Sequence, residues 1–110
     1  MPSLDAAKLG KSIASALLGS LKKDVPVARD FAKSEARKLA QTLVDIETLL
    51  ADGKIDKETA ALLVGMQKNA TRAVLLTVEG LGLLAVEKAI NAALDVVKKT
   101  VNSAVKFPLL

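Results

Sequence analysis

The sequence predicts an all-α fold, a bundle of three or four helices that associates with further copies of itself, and three observations carry that expectation. Apolar residues make up 51% of the chain but aromatics only 2%, so the core must come from Ala, Leu and Val, of which Ala and Leu favour helix. Apolar positions recur at intervals of three and four, the period of a helix with one buried face. Pro26, Gly53 and the pair Gly80 and Gly82 divide the chain into helical lengths. At 110 residues the whole chain suits one helical domain, with helices expected at about 4–24, 26–51, 57–79 and 83–106.

In the first of these, Leu9, Ile13, Leu17, Leu18 and Leu21 fall on one side at 100° per residue, and Lys8, Lys11, Lys22 and Lys23 on the other. Ser3 is the expected N-cap, with Asp5 in the first turn where the helix dipole favours an acid. Pro26 disfavours helical geometry at Val25 and suits the start of a new helix.

The second helix is the clearest. Ala32, Ala36, Leu39, Leu43, Ile46 and Leu50 follow spacings of 4, 3, 4, 3 and 4, a heptad seam opposite a wet face that includes Arg29, Asp30, Lys33 and Arg37. Gly53 supplies a left-handed C-terminal position, and Asp56 the N-cap of the third helix.

From Lys57 to Lys106 there is no proline, and between Ala73 and Leu94 the only charges are Glu79, Glu87 and Lys88. A helix this apolar all round must be covered on most of its circumference. One continuous helix of this length would span roughly 75 Å, against a radius of gyration of about 13 Å for a compact domain of this size. A break or bend near Gly80–Gly82 reconciles the two, and Leu76, Leu83 and Ile90 then join the packing seam. Phe107-Pro108-Leu109-Leu110 closes the chain with an apolar tail in which Pro108 stops any helix.

Composition also bounds the chemistry. His, Cys, Trp and Tyr are all absent. Zinc, copper and iron sites thereby lose their commonest ligands, and a hydrolytic triad has no base. The segment Asp52-Gly53-Lys54-Ile55-Asp56 looks like part of a calcium loop. With Gly53 at the sixth position, however, Leu50 takes the third and Thr59 the twelfth, where oxygen ligands and a bidentate Glu are needed. Gly80-Leu81-Gly82 matches neither phosphate-binding glycine fingerprint. Glu79, a carboxylate amid leucines and valines, is read first as a rim position or one half of an ion pair, and second as a raised-pKa acid. No catalytic residue, cofactor or metal is expected.

The net charge is +4, with both ends of the chain mildly basic. Only Arg29, Arg37 and Arg72 are arginines, and there is no aromatic platform for bases, so nucleic acid is not the expected partner. The start of the chain lacks the pattern of a signal peptide, and no run of about 18 apolar residues could span a bilayer. A soluble or peripheral protein is expected.

The leading expectation is a non-enzymatic assembly or adaptor protein, partnered by a second copy or by another helical protein through the seam residues above. The alternative is a membrane-peripheral or membrane-active protein. Lys8, Lys11, Lys22 and Lys23 would then meet an anionic surface, and the apolar hairpin around Gly80 would open into lipid.

Overall fold

Asp5 opens the first helix, α1 (Ala6–Leu21). Its carboxylate accepts the N–H groups of Ala7 at 2.9 Å and Lys8 at 3.2 Å, two of the donors that a helix start leaves unpaired. The capping role expected of Ser3 thus belongs to Asp5, because the Ser3 hydroxyl is engaged elsewhere, on Glu47. The computed structural model describes residues 3–21 and 26–110, so the expected end of this helix at residue 24 lies outside the described residues.

Pro26 begins α2 (Pro26–Ala51) at the position where its missing N–H is no loss. The far end closes in a Schellman motif. Lys54 donates to the Leu49 carbonyl at 2.9 Å, Gly53 to that of Leu50 at 3.1 Å, and Gly53 takes the left-handed conformation with φ 71°. Asp56, in extended backbone, then accepts the Thr59 N–H at 2.8 Å and starts α3 (Lys57–Leu76). The segment that looked like part of a calcium loop is therefore two helix caps back to back.

α3 stops at Leu76, three residues before the expected end. Thr77 turns both its N–H, at 3.1 Å, and its hydroxyl, at 2.6 Å, onto the Val74 carbonyl. Leu81 then donates to the Val78 carbonyl at 3.2 Å, closing a turn in which Gly80 has φ 87°. Its third position is the one that a type II turn reserves for glycine. Val78 and Leu81, the first and last residues of that turn, are buried and hold the connection against the core. α4 (Leu83–Val105) follows, and ends where Lys106 adopts the left-handed conformation with φ 65° and donates to the Asn102 carbonyl at 2.9 Å.

The described residues form four helices that run alternately up and down, as the pairs Ser3–Glu47, Glu35–Thr71, Arg72–Glu87 and Lys57–Phe107 require, and those residues contain no strand. α1 packs along both α2 and α4, α2 packs along α3, and the ring closes only loosely between α3 and α4. Arg72 of α3 donates to the Glu87 carboxylate of α4 across that loose side. The tail after α4 folds back along it. Asn102 accepts the Leu110 N–H at 2.9 Å, Lys57 Nζ sits 5.4 Å from the centre of the Phe107 ring, and Leu109 and Leu110 rest against the core. The molecule is compact, with a radius of gyration of 13.7 Å.

The core lies where the helix periods place it along α1 and α2. Leu9, Ile13, Leu17 and Leu21 meet Ala32, Ala36, Leu39 and Leu43, all buried. The segment between α3 and α4 differs from expectation. Leu76 and Leu83, expected in the packing seam, are exposed, because at the end of α3 Thr77 and Val78 donate to carbonyls three residues back instead of four, and the chain presents Val78 and Leu81 inward in their stead. Nor is the stretch from Ala73 to Leu94 covered all round, since Ala73 and Leu84 also face outward.

Candidate interaction surfaces

Burial sorts the expected seam into two groups. Ala32, Ala36, Leu39, Leu43 and Ile46 of α2, and Ile90 of α4, are buried inside the chain, and Leu50 is partly buried. Their apolar surface is already satisfied by α1, α3 and α4. The apolar surface left exposed is made by other residues.

On α3, Leu62, Met66, Ala70, Ala73 and Leu76 follow one another at three- and four-residue spacing, which stacks them along one face. All five are exposed, Leu62 by 65% and Met66 by 59%. Asn69 lies within the row and no charged side chain does. The row borders a groove of about 450 Å³ between α2 and α3, to which Ile46, Leu49 and Leu63 contribute apolar surface and Thr42, Gln67 and the carboxylate of Asp45 a polar edge. A large exposed apolar row beside an apolar groove is the kind of surface that marks an interaction site.

That polar edge is the start of a hydrogen-bond chain running into the core. Thr42 donates to Gln67 at 3.5 Å, Gln67 to the Thr71 hydroxyl at 3.2 Å, and Thr71 to the Glu35 carboxylate at 3.0 Å. Lys38 completes it from the surface, donating to the other Glu35 oxygen at 2.9 Å. Glu35 is buried, so both of its oxygens need such partners, and both have them. The chain ties α2 to α3 in a single register, holding the walls of the groove at fixed spacing.

A second buried carboxylate, Glu47, anchors the start of the chain. It accepts the Ser3 N–H and hydroxyl, each at 2.9 Å, and the Leu4 N–H at 2.8 Å. Burial alone would raise this carboxyl. The hydrogen bonds from Ser3 and Leu4 outweigh it and leave the pKa below its ordinary value. Neither Glu35 nor Glu47 stands out in the sequence, where each is one acidic residue on an amphipathic helix.

Glu79 is exposed, at the second position of the turn between α3 and α4, and does not lie among the leucines that flank it in sequence. Leu83 and Leu84 are exposed beside that turn. Lys8 and Lys11 are exposed on α1, while Lys22 and Lys23 lie outside the described residues. Among the described residues no three acidic side chains come together as a metal site would require. None of the described helices is long and apolar enough to cross a membrane.

No family model, no curated protein and no solved structure matches the chain.

Proposed function

We propose that this protein is a non-enzymatic helical assembly protein that self-associates through the outer face of α3 and the adjoining α2/α3 groove. The observation that carries the reading is the uncharged row Leu62, Met66, Ala70, Ala73 and Leu76, exposed along one face of α3 while the apolar seams of α1 and α2 are spent on the chain's own core.

A second copy is the occupant that suits this row. Two α3 helices crossing antiparallel about the midpoint of Asn69 and Ala70 would set Met66 of each against Ala73 of the other, large on small, with the two Asn69 amides close to the axis. Such a two-fold contact is self-complementary and closed. The net charge of +4 disfavours close approach of copies elsewhere, whereas this row carries no charge to repel.

The membrane-peripheral reading has less support. Leu9, Ile13, Leu17 and Leu21, which would have to enter the bilayer, are all in the core. Laying α1 flat on lipid would mean stripping it from both α2 and α4.

Light scattering after size-exclusion chromatography tests the proposal. The expected mass is a fixed multiple of 11.5 kDa, the same at low and high salt. The double variant Leu62→Lys/Met66→Lys should run as a monomer, and Leu84→Lys, outside the row, should not change the assembly. A wild-type monomer, or an assembly that survives the double substitution, sinks the idea.

A further inference from the structure

Three cations from two helices converge on a groove that self-association does not use. Lys11 of α1 and Lys33 and Arg37 of α2 border a cavity of about 360 Å³. Its floor is Ala6, Ala7, Gly10 and Ala14, so nothing longer than a methyl group stands between a ligand and the α1 backbone. The helices are close here: a methyl group built on Gly10 would lie 3.8 Å from Ala40 Cβ. All three cations are exposed, and among the described residues none of them has an ion pair or a hydrogen bond.

This arrangement works against the fold when nothing sits in it. Lys33 and Arg37 are one turn apart on the same edge of α2, a like-charge spacing that disfavours the helix. Lys11 adds a third positive charge from across the groove. The groove also lies beside the first turns of α1, the positive end of its dipole. There Asp5 already occupies the N–H groups of Ala7 and Lys8, so an anion must be held by side chains. Lys8 faces away from the cavity, one step further round the helix, and takes no part.

We propose that this groove binds a phosphomonoester group. Three convergent cations match a dianion with several oxygens better than a single carboxylate. The Arg37 fork would take two phosphate oxygens, Lys11 and Lys33 would act as point charges, and the apolar carbon next to the ester would rest on the Ala and Gly floor. That chemistry is shared by a soluble phosphorylated metabolite and by a phosphate lipid headgroup.

Two probes separate those sources: inorganic pyrophosphate followed by amide chemical shifts, and flotation with phosphatidylcholine vesicles with and without phosphatidic acid. The expected result is binding to at least one, with shifts confined to residues 6–14 and 33–40 when pyrophosphate is the probe. Pyrophosphate binding alone identifies a soluble ligand, and flotation only with phosphatidic acid identifies a lipid headgroup. Lys33→Gln/Arg37→Gln should weaken binding by about tenfold or more, the scale of losing one charge-assisted hydrogen bond. Lys88→Gln/Lys99→Gln, which removes the same charge from the exposed face of α4, should leave it unchanged. Circular dichroism should show both variants folded, since all four side chains are exposed. No binding to either probe, shifts spread over the surface, or equal weakening by the two double variants would overturn the proposal.

Discussion

Glu47 holds Ser3 by two hydrogen bonds of 2.9 Å, one from its backbone N–H and one from its hydroxyl, across 44 residues of chain. This contact, more than any helix-forming preference, decides where the first described residues lie. It joins the segment ahead of α1 to the last turns of α2, so that the two helices are fastened at the end opposite their connection.

Removing the charge at that point should loosen the start of the chain without unfolding the rest. Glu47→Gln is expected to lose about 1–2 kcal/mol of unfolding free energy in denaturant titration, since hydrogen bonds to a charged group are worth about 1.5–3 kcal/mol and the amide retains part of them. Amide exchange at Leu4 should rise with it.

The same carboxylate sets a pH dependence. Its pKa is lowered in the folded state, so its contribution is fully present above the ordinary carboxyl value of 4.5 and disappears as pH falls through the lowered folded value. The wild type should therefore lose stability as pH falls below about 5, and Glu47→Gln should lose less over the same range. Asp56, lowered by hydrogen bonds from Thr59, adds a component that both proteins share. Equal slopes for the two proteins would show that Glu47 is not coupled to folding.

At the α3–α4 connection two neighbouring glycines should respond in opposite senses. Gly80 has φ 87°, which strains any side chain, and Gly80→Ala should destabilise by about 1–2 kcal/mol. Gly82 is the N-cap of α4 in ordinary extended backbone, with no capping side chain and open space around it. Gly82→Ser should stabilise by about 0.5–1 kcal/mol through a new cap and a less flexible unfolded chain. Thermal melts of the two single variants check both signs.

The Glu35–Thr71 hydrogen bond offers a coupling measurement. Thr71→Val leaves a buried carboxylate oxygen without its donor and should cost about 1–3 kcal/mol. Adding Glu35→Leu should recover part of that loss, because an apolar pair has no unmet hydrogen bond. Additive losses in the double-mutant cycle would contradict the pairing.

Lys106 is a lysine in left-handed backbone at the end of α4. Lys106→Gly should raise stability by about 0.5–1 kcal/mol, seen as a higher denaturation midpoint, since glycine takes this conformation without a side-chain clash.

The sequence shows the helices of this fold more clearly than its surfaces. The heptad seam of α2 and the caps at Gly53 and Asp56 are readable because their signals are local and all agree. The end of α3 is not, because Thr77, Val78 and Glu79 are tolerable in a helix, and a turn anchored by the burial of Val78 and Leu81 overrides them. Leu76 and Leu83 fall in the core only if the helical period is extended beyond the point where α3 stops. Glu35 and Glu47 read as solvated residues beside an apolar stripe; their burial depends on Thr71 and Ser3, which lie on other segments. Lys11, Lys33 and Arg37 are unremarkable on their own helices, and only the neighbouring of α1 and α2 gathers them into one groove.

The loose side of the ring, between α3 and α4, gives the molecule an uneven resistance to opening. α1 and α2 are each gripped by two long neighbours, whereas α3 rests chiefly on α2 and is stayed on its other flank by one ion pair and the returning tail. Backbone amides of α1 and α2 should thus exchange only when the whole chain unfolds, while those of α3 exchange through a smaller excursion that swings this one helix outward. The helix that carries the exposed row is then also the first to come loose, and a partner seated on that row would slow its exchange before that of any other segment.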